Sequence, residues 1–325
     1  MNDSNSQQPL IVLFPHPVEE FYFPSRNYHG LDSFCGWNEG SHRRRFILSR
    51  GEYVDAHGCL KSAELAFWSE WEANTLVTRL SALPTNKHEA KWLHKPQYPT
   101  PCPIMDSVDE ENVGEECCMN TDPCVFGDTF KYSLCRQTRR NKNSRIATEM
   151  QNLPIGSLIV FGGTKEGGFY LDTVFVVGQK MSYVGPDSQH KIPCRNTYRI
   201  LTLNQTSGQL QFYRGVTWYE RDKYQGMYSF APGKVVLDGV SASFLPLNVR
   251  ERCLLDFESL NDIIRSIGVK DDFFNVECCS NFKAIRLDPK MVGKVWVELI
   301  RQMKKQQFVQ CVHFDWPKPK VVSAK

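Results

Sequence analysis

The sequence predicts an α+β fold in which strands dominate, arranged as an antiparallel meander or small barrel and followed by two amphipathic helices. Three observations carry this expectation. Short apolar and aromatic runs recur between turn residues from Leu10 to Tyr213. No helical crossover fits between the strands of 153–213, which disfavours a doubly wound parallel sheet. Apolar residues at helical spacing appear only after residue 256.

Residues 1–9 are polar and read as a tail. Leu10 to Phe14 reads as a buried strand stopped by Pro15 and Pro17. The Gly-, Asn- and Ser-rich stretch 24–42 reads as a long loop folding back on the body. Phe46–Leu48 and Glu64–Trp68 are the next strands, with turn signals at Arg50-Gly51 and His57-Gly58. The five prolines of Pro84–Pro103 suggest an extended surface segment, and Asp106–Glu116, with six acids and no base, a solvated insertion. Gly162-Gly163 and Gly167-Gly168 bracket a hairpin between strands Ser157–Phe161 and Phe169–Val177. Tyr198–Leu203 and Leu210–Tyr213 follow, joined at Ser207-Gly208. Phe257, Leu260, Ile263, Ile264 and Ile267 share one helical face, with Asp256 as cap and Gly268 as stop. Val292, Val295, Trp296, Leu299, Ile300 and Met303 do the same for Pro289–Gln306, before a closing strand at Phe308–Phe314. The expected organisation is a tail, a strand-and-loop region at 10–150, and a barrel-like meander with its helices at 151–325. The last two form either two units or one integrated domain.

A chain of 325 residues, 41% hydrophobic and 23% charged, has the composition of an ordinary globular protein with a sizeable core. Its net charge of +3 is too small for a general nucleic-acid coat, so only local clustering argues for such a partner. No apolar run approaches the ~20 residues that cross a bilayer, and the polar start has no basic n-region. Cytoplasmic residence without a membrane partner is expected. The twelve cysteines contain no Cys-x-x-Cys pair, so buried free thiols and no metal are expected. Cys117, Cys118, Cys124 and Cys135 are the one cluster that leaves a metal open. The absence of phosphate-loop, dinucleotide and nucleophile-elbow motifs leaves no cofactor indicated.

The densest chemistry lies in 117–145. Asp122 and Asp128 stand there among turn formers and aromatics, with Asn120, Tyr132 and Gln137 nearby. Two carboxylates held together in a partly buried site divide their pKa values, which suits general acid and base roles. The alternative is a pair of structural turns or caps. A second candidate is Phe67-Trp68-Ser69-Glu70-Trp71-Glu72. On a strand, Trp68, Glu70 and Glu72 share one face and Phe67, Ser69 and Trp71 the other. Such a strand makes either a pocket wall with an acid at its mouth or an edge with its acids in water. Asp172 interrupts an apolar strand, so it opens onto a site or faces solvent with Tyr170. Two basic runs complete the set: His42-Arg43-Arg44-Arg45, and the stretch containing Arg136, Arg139, Arg140, Lys142 and Arg145. Arginine forks suit phosphate oxygens, though charge runs also form simple solvated loops.

Residues 153–178, LPIGSLIVFGGTKEGGFYLDTVFVVG, resemble the core of PUA-like modules of the ASCH and EVE kind. The resemblance implies a small barrel and binding of RNA or modified bases, in a family some of whose members accompany bacterial nucleic-acid modification systems. It carries no individual binding residue over to this chain.

These readings converge on a bacterial-type nucleic-acid-associated protein that takes a base or nucleotide, or DNA or RNA, in an aromatic, carboxylate-bearing pocket. Trp68, Glu70 and Trp71 would line it, Asp122 and Asp128 would accept hydrogen bonds, Asn120, Tyr132, Gln137 and Asp172 would contribute contacts, and Arg139, Arg140 and Arg145 would hold phosphate. An enzyme using Asp122, Asp128 and Glu70, such as a transferase or glycosyl-bond hydrolase, is the alternative. A partner-binding scaffold is the third reading.

Overall fold

Alternation in the first strand decides the layering. Leu10, Val12 and Phe14 enter one apolar cluster while Ile11 and Leu13 enter another, and all five are buried. The computed structural model describes residues 8–16, 44–71, 75–80, 90–96, 122–142, 144–184, 209–269, 272–275 and 282–317. Its strands are β1 (Leu10–Pro15), β2 (Arg44–Val54), β3 (Leu60–Glu70), β4 (Thr75–Arg79), β5 (Trp92–Pro96), β6 (Lys131–Tyr132), β7 (Thr138–Asn141) and β8 (Ser144–Ala147). They continue as β9 (Leu158–Lys165), β10 (Gly168–Val184), β11 (Gln209–Gly215), β12 (Ala231–Val236) and β13 (Cys253–Leu255). Helix α1 (Phe257–Arg265), β14 (Lys283–Arg286), helix α2 (Pro289–Lys305) and β15 (Val309–Phe314) follow among the described residues. The class is α+β with strands dominating.

One sheet runs β14-β1-β9-β10-β11-β6, with β13 also on β10; the other runs β15-β12-β3-β2-β5-β4. The sheets face each other across a core that includes Val12, Phe14, Phe161 and Phe175 from the first and Ile47, Phe67 and Phe314 from the second. The outer face of the first sheet is covered by α1 and α2 through Leu260, Ile264, Val292, Val295 and Leu299. Both helices start at aspartate caps. Asp256 accepts from the Glu258 and Ser259 amides, and Asp288 from those of Lys290 and Met291, ahead of Pro289 in the first turn. Phe46, Leu48, Ala66 and Trp68 on the outer face of the second sheet pack against Leu80, Leu93, Leu245 and Val249. None of the helices among the described residues is long and apolar enough to cross a membrane.

The pairing differs from a plain antiparallel meander in three ways. β1 lies parallel to β9, from Ile11 opposite Leu158 to Pro15 opposite Gly162, and β2 meets β5 in parallel at Ile47 and His94. β15 bonds to both β12 and β2, so the run β2-β3-β12-β15 closes on itself. Both sheets contain strands from before and after residue 150. The turn expected at Arg50-Gly51 is absent because β2 runs through it. Gly51 stands where a Cβ would lie 2.1 Å from the His313 carbonyl oxygen, so the glycine serves close strand approach. The strand expected at Tyr198–Leu203, the loop 24–42 and the acidic stretch 106–116 lie outside the described residues.

Candidate functional site

The β2–β3 hairpin ends with Arg44 directly opposite Glu70. Arg44 Nη2 lies 3.0 Å from Glu70 Oε2, and both side chains are fully buried. The other guanidinium nitrogen, Nη1, is 3.7 Å from Asp172 Oδ2. Asp172 reaches this point through a bulge in β10. Leu171 pairs with Gly162 and Thr173 with Phe161, so Asp172 is the extra residue and its carboxylate leaves the ladder. Its second oxygen accepts from Arg252 Nη2 at 2.7 Å. Arg252 in turn lies over the rings of Trp68 at 4.3 Å and Tyr170 at 5.1 Å.

His16, just beyond β1, joins the cluster by accepting from Arg44 Nη2 at Nδ1, which puts a neutral ring's proton on Nε2. Its ring stacks on Phe161 with centroids 5.4 Å apart. The main chain of Asp122 closes the arrangement. Its amide donates to Glu70 Oε1 at 3.3 Å, and its carbonyl accepts from Arg44 Nη2 at 3.4 Å. The centre thus holds two guanidiniums alternating with two carboxylates, out of water and edged by aromatics.

Burial pushes the Asp172 carboxyl upward, and the Arg252 and Arg44 charges pull it partly back. Arg252 is lowered by burial and supported by Asp172. Removing four charged groups from water rarely gives net stability even when they pair well. Concentrations of such groups occur both at working sites and in structural ion-pair networks.

Asp122 itself has a different task. Its Oδ1 accepts from the Ser133 amide at 3.0 Å, and its Oδ2 from the Leu134 and Cys135 amides at 2.9 and 2.5 Å. Burial raises this carboxyl to about 6 against the opposing pull of those amides. The carboxylate holds the 133–135 loop, a structural role reached across 11 to 13 positions and not the local turn or cap expected as the alternative. Asp128 is exposed, at the tip of the turn closed by the Cys124–Lys131 bridge, whereas Asp122 is buried at its open end. The two therefore do not form the paired acid and base expected from their spacing.

The other expected residues divide. Glu70, Asp172 and Trp68 meet in the cluster, so Glu70 does not face water as the solvated-edge alternative for 67–72 had it. Asp172 does not face solvent. Trp68 and Trp71 do not line one pocket: Trp68 packs outside the second sheet, while Trp71 sits between the sheets, edge-on to Phe126 at 4.9 Å. Tyr132 is a core residue stacked on Tyr213 at 5.7 Å, its hydroxyl donating to the Cys135 carbonyl. Gln137 is buried and bonds both main-chain groups of Gln211, at 2.6 and 2.7 Å. Arg139 and Arg145 are exposed on the two-stranded ribbon of β7 and β8, where Arg140 pairs with Arg145. Asn120, Cys117 and Cys118 lie outside the described residues; Cys124 and Cys135 are free thiols.

The run His42–Arg45 is not a solvated loop where it is described. Arg44 and Arg45 are both buried and take different partners: Arg44 the ion cluster, Arg45 the hydroxyl of Thr75 at 2.8 Å and His94 Nδ1 at 3.5 Å. Sequence reasoning missed Arg44, Arg252 and His16 as members of the site. The usable signal was two arginines leading directly into Phe46-Ile47-Leu48, where a strand's alternation forces one charge onto each buried face. Comparison with models of protein families, with curated proteins and with solved structures gave no match to this chain.

Proposed function

We propose that this is a nucleic-acid-associated protein that recognises a base or nucleotide at the ion cluster, with phosphate held by the basic ribbon. The observation that carries the reading is the alternation Glu70–Arg44–Asp172–Arg252 seated against Trp68 and Tyr170. Carboxylates and guanidiniums match the donors and acceptors on base edges, and aromatic rings match base faces, so a base would take over contacts that these buried groups now make with one another. The ribbon adds the phosphate component. Its base follows directly from the loop that Asp122 holds, so Arg139, Arg145 and Lys142 extend from the same region as the cluster.

The closed run of β2, β3, β12 and β15 supports a barrel-like reading of the fold. It lies outside 153–178, whose residues form all of β9 and the first part of β10 in the other sheet. Cytoplasmic residence belongs to the same proposal. The enzyme alternative gains nothing from Asp122 and Asp128, which are apart.

Binding of short DNA and RNA measured across a salt series tests this reading. Affinity should fall steeply as salt rises, because each neutralised phosphate releases counterions. Replacing Arg139 and Arg145 together by serine should lower the log–log slope by roughly 2, at about 0.9 per phosphate contact. Failure to bind any DNA or RNA at low salt would refute the proposal.

A further inference from the structure

A second candidate site lies at the far end of the β2–β3 hairpin. Arg44 and Val54 are the first and last residues of β2, which places them about 33 Å apart along the strand at ~3.3 Å per residue. Beside Val54 opens a cleft of about 300 Å³ between the 3-10 turn Trp218–Tyr224 and helix α2. Trp218, Tyr228, Trp296, Arg221, Lys304 and Gln310 supply its chemistry.

The aromatic walls are fixed. Trp218 meets Tyr228 edge-on at 4.9 Å, Tyr228 meets Trp296 edge-on at 5.1 Å, and Trp296 Nε1 donates to the Tyr228 carbonyl at 3.0 Å. Arg221 lies 3.7 Å above the Trp218 ring and donates to the Trp218 carbonyl at 2.7 Å, so its guanidinium extends the stacking surface. The Gln310 amide and Tyr228 hydroxyl, 2.6 Å apart, place a polar pair in the floor. Lys304 is exposed on α2 and brings a second positive charge. The acid beside Arg221 is Asp222, 4.0 Å from Nε and 89% exposed, so its compensation is weak. Gly226 contributes a lining position at which a Cβ would meet nothing within 4 Å.

We propose that this cleft is a binding site for a planar aromatic ring carrying a phosphate, either a free nucleotide or a base–phosphate unit of a single strand. The aromatic rings and the Arg221 plane would take the base face, and Lys304 with the guanidinium edge would take the phosphate. The inference does not depend on the ion cluster.

Calorimetric titration of the full chain with AMP, inorganic phosphate and oligothymidylate tests it. AMP or oligothymidylate should bind saturably with a component that the cleft variants remove, and phosphate alone should bind more weakly than AMP. Trp218→Ala and Lys304→Glu should each raise the Kd of the cleft roughly tenfold. Sensitivity of AMP binding to both cleft variants assigns a free nucleotide, and sensitivity of oligothymidylate without AMP binding assigns a strand. No heat from either probe at millimolar concentration, or an unchanged Kd in Lys304→Glu, overturns the proposal. Lys304 is exposed, so that variant decides the matter even if Trp218→Ala lowers Tm.

Discussion

Asp172 is the side chain on which the ion cluster turns, because it faces both guanidiniums. Asp172→Asn keeps its shape and removes the one carboxylate that faces both Arg252 and Arg44. Breaking a buried pair in this way should cost about 3–5 kcal/mol, read as a lower urea midpoint at unchanged m-value. Adding Arg252→Met should cost less than the two single losses together, because the two side chains contact each other directly. Asp122 makes a pH-dependent contribution of opposite kind. Its folded carboxyl sits at about 6 against an ordinary 3.8, so the folded state holds the proton more tightly between those values. The stabilisation is complete below about pH 3.8 and lost as pH rises through about 6, a change on the order of 3 kcal/mol. Asp122→Asn removes the titration, so its stability relative to wild type should rise across that window; parallel pH curves for the two proteins would exclude Asp122 as the source. At neutral pH the variant still forfeits carboxylate bonds to the 133–135 amides, which tells positioning apart from catalysis.

A side-chain amide anchors the base of the β7–β8 ribbon beside the bonds from the Thr148 N–H and hydroxyl to the Gln137 and Arg136 carbonyls. Gln137 mimics a paired strand residue by bonding both the N–H and the C=O of Gln211. Gln137→Ala should cost about 1–3 kcal/mol, since it strips both groups of their partner, and should speed amide exchange across 138–147 more than in β9. Exchange unchanged in the ribbon would show that its anchoring lies elsewhere. Elements with such local determinants are also those that the sequence made readable. Asp256 and Asp288 before amphipathic runs marked both helices to within two residues, and the apolar runs of β1, β9 and β15 marked those strands. β10 was read short because its apolar run gives way after Val177 to the half-buried and exposed positions of 178–182, while the pairing with β11 continues. β5 hid among prolines, although Leu93 and His94 are buried there. The ion cluster was only half legible. Glu70 and Asp172 stood out as charges in apolar runs, but Arg44 and Arg252 meet them across 26 and 80 positions, distances over which no periodicity speaks.

At the scale of the whole molecule, the division of the sequence near residue 150 has no counterpart in the pairing. β1 lies inside the first sheet between β14 and β9, so a chain beginning at 151 would leave both neighbours with open edges. The same cut removes β2 and β3, the strands that join β15 and β12 into the closed run. It also removes Arg44 and Glu70, leaving Asp172 and Arg252 without the rest of their cluster. The core between the sheets loses Phe14, Ile47, Phe67 and Trp71 together. Each large side chain is worth about 1.5–3 kcal/mol in buried area, and folded domains hold only about 5–15 kcal/mol in total. Residues 151–325 expressed alone should therefore lack a cooperative thermal transition by near-UV circular dichroism, while the full chain shows one. Mixing the two halves, 1–150 and 151–325, should restore the transition, because complementary strands would again meet. A fragment 151–325 that melts cooperatively by itself would show that the helices and β9–β13 suffice, and that the first half is an addition to a self-sufficient core.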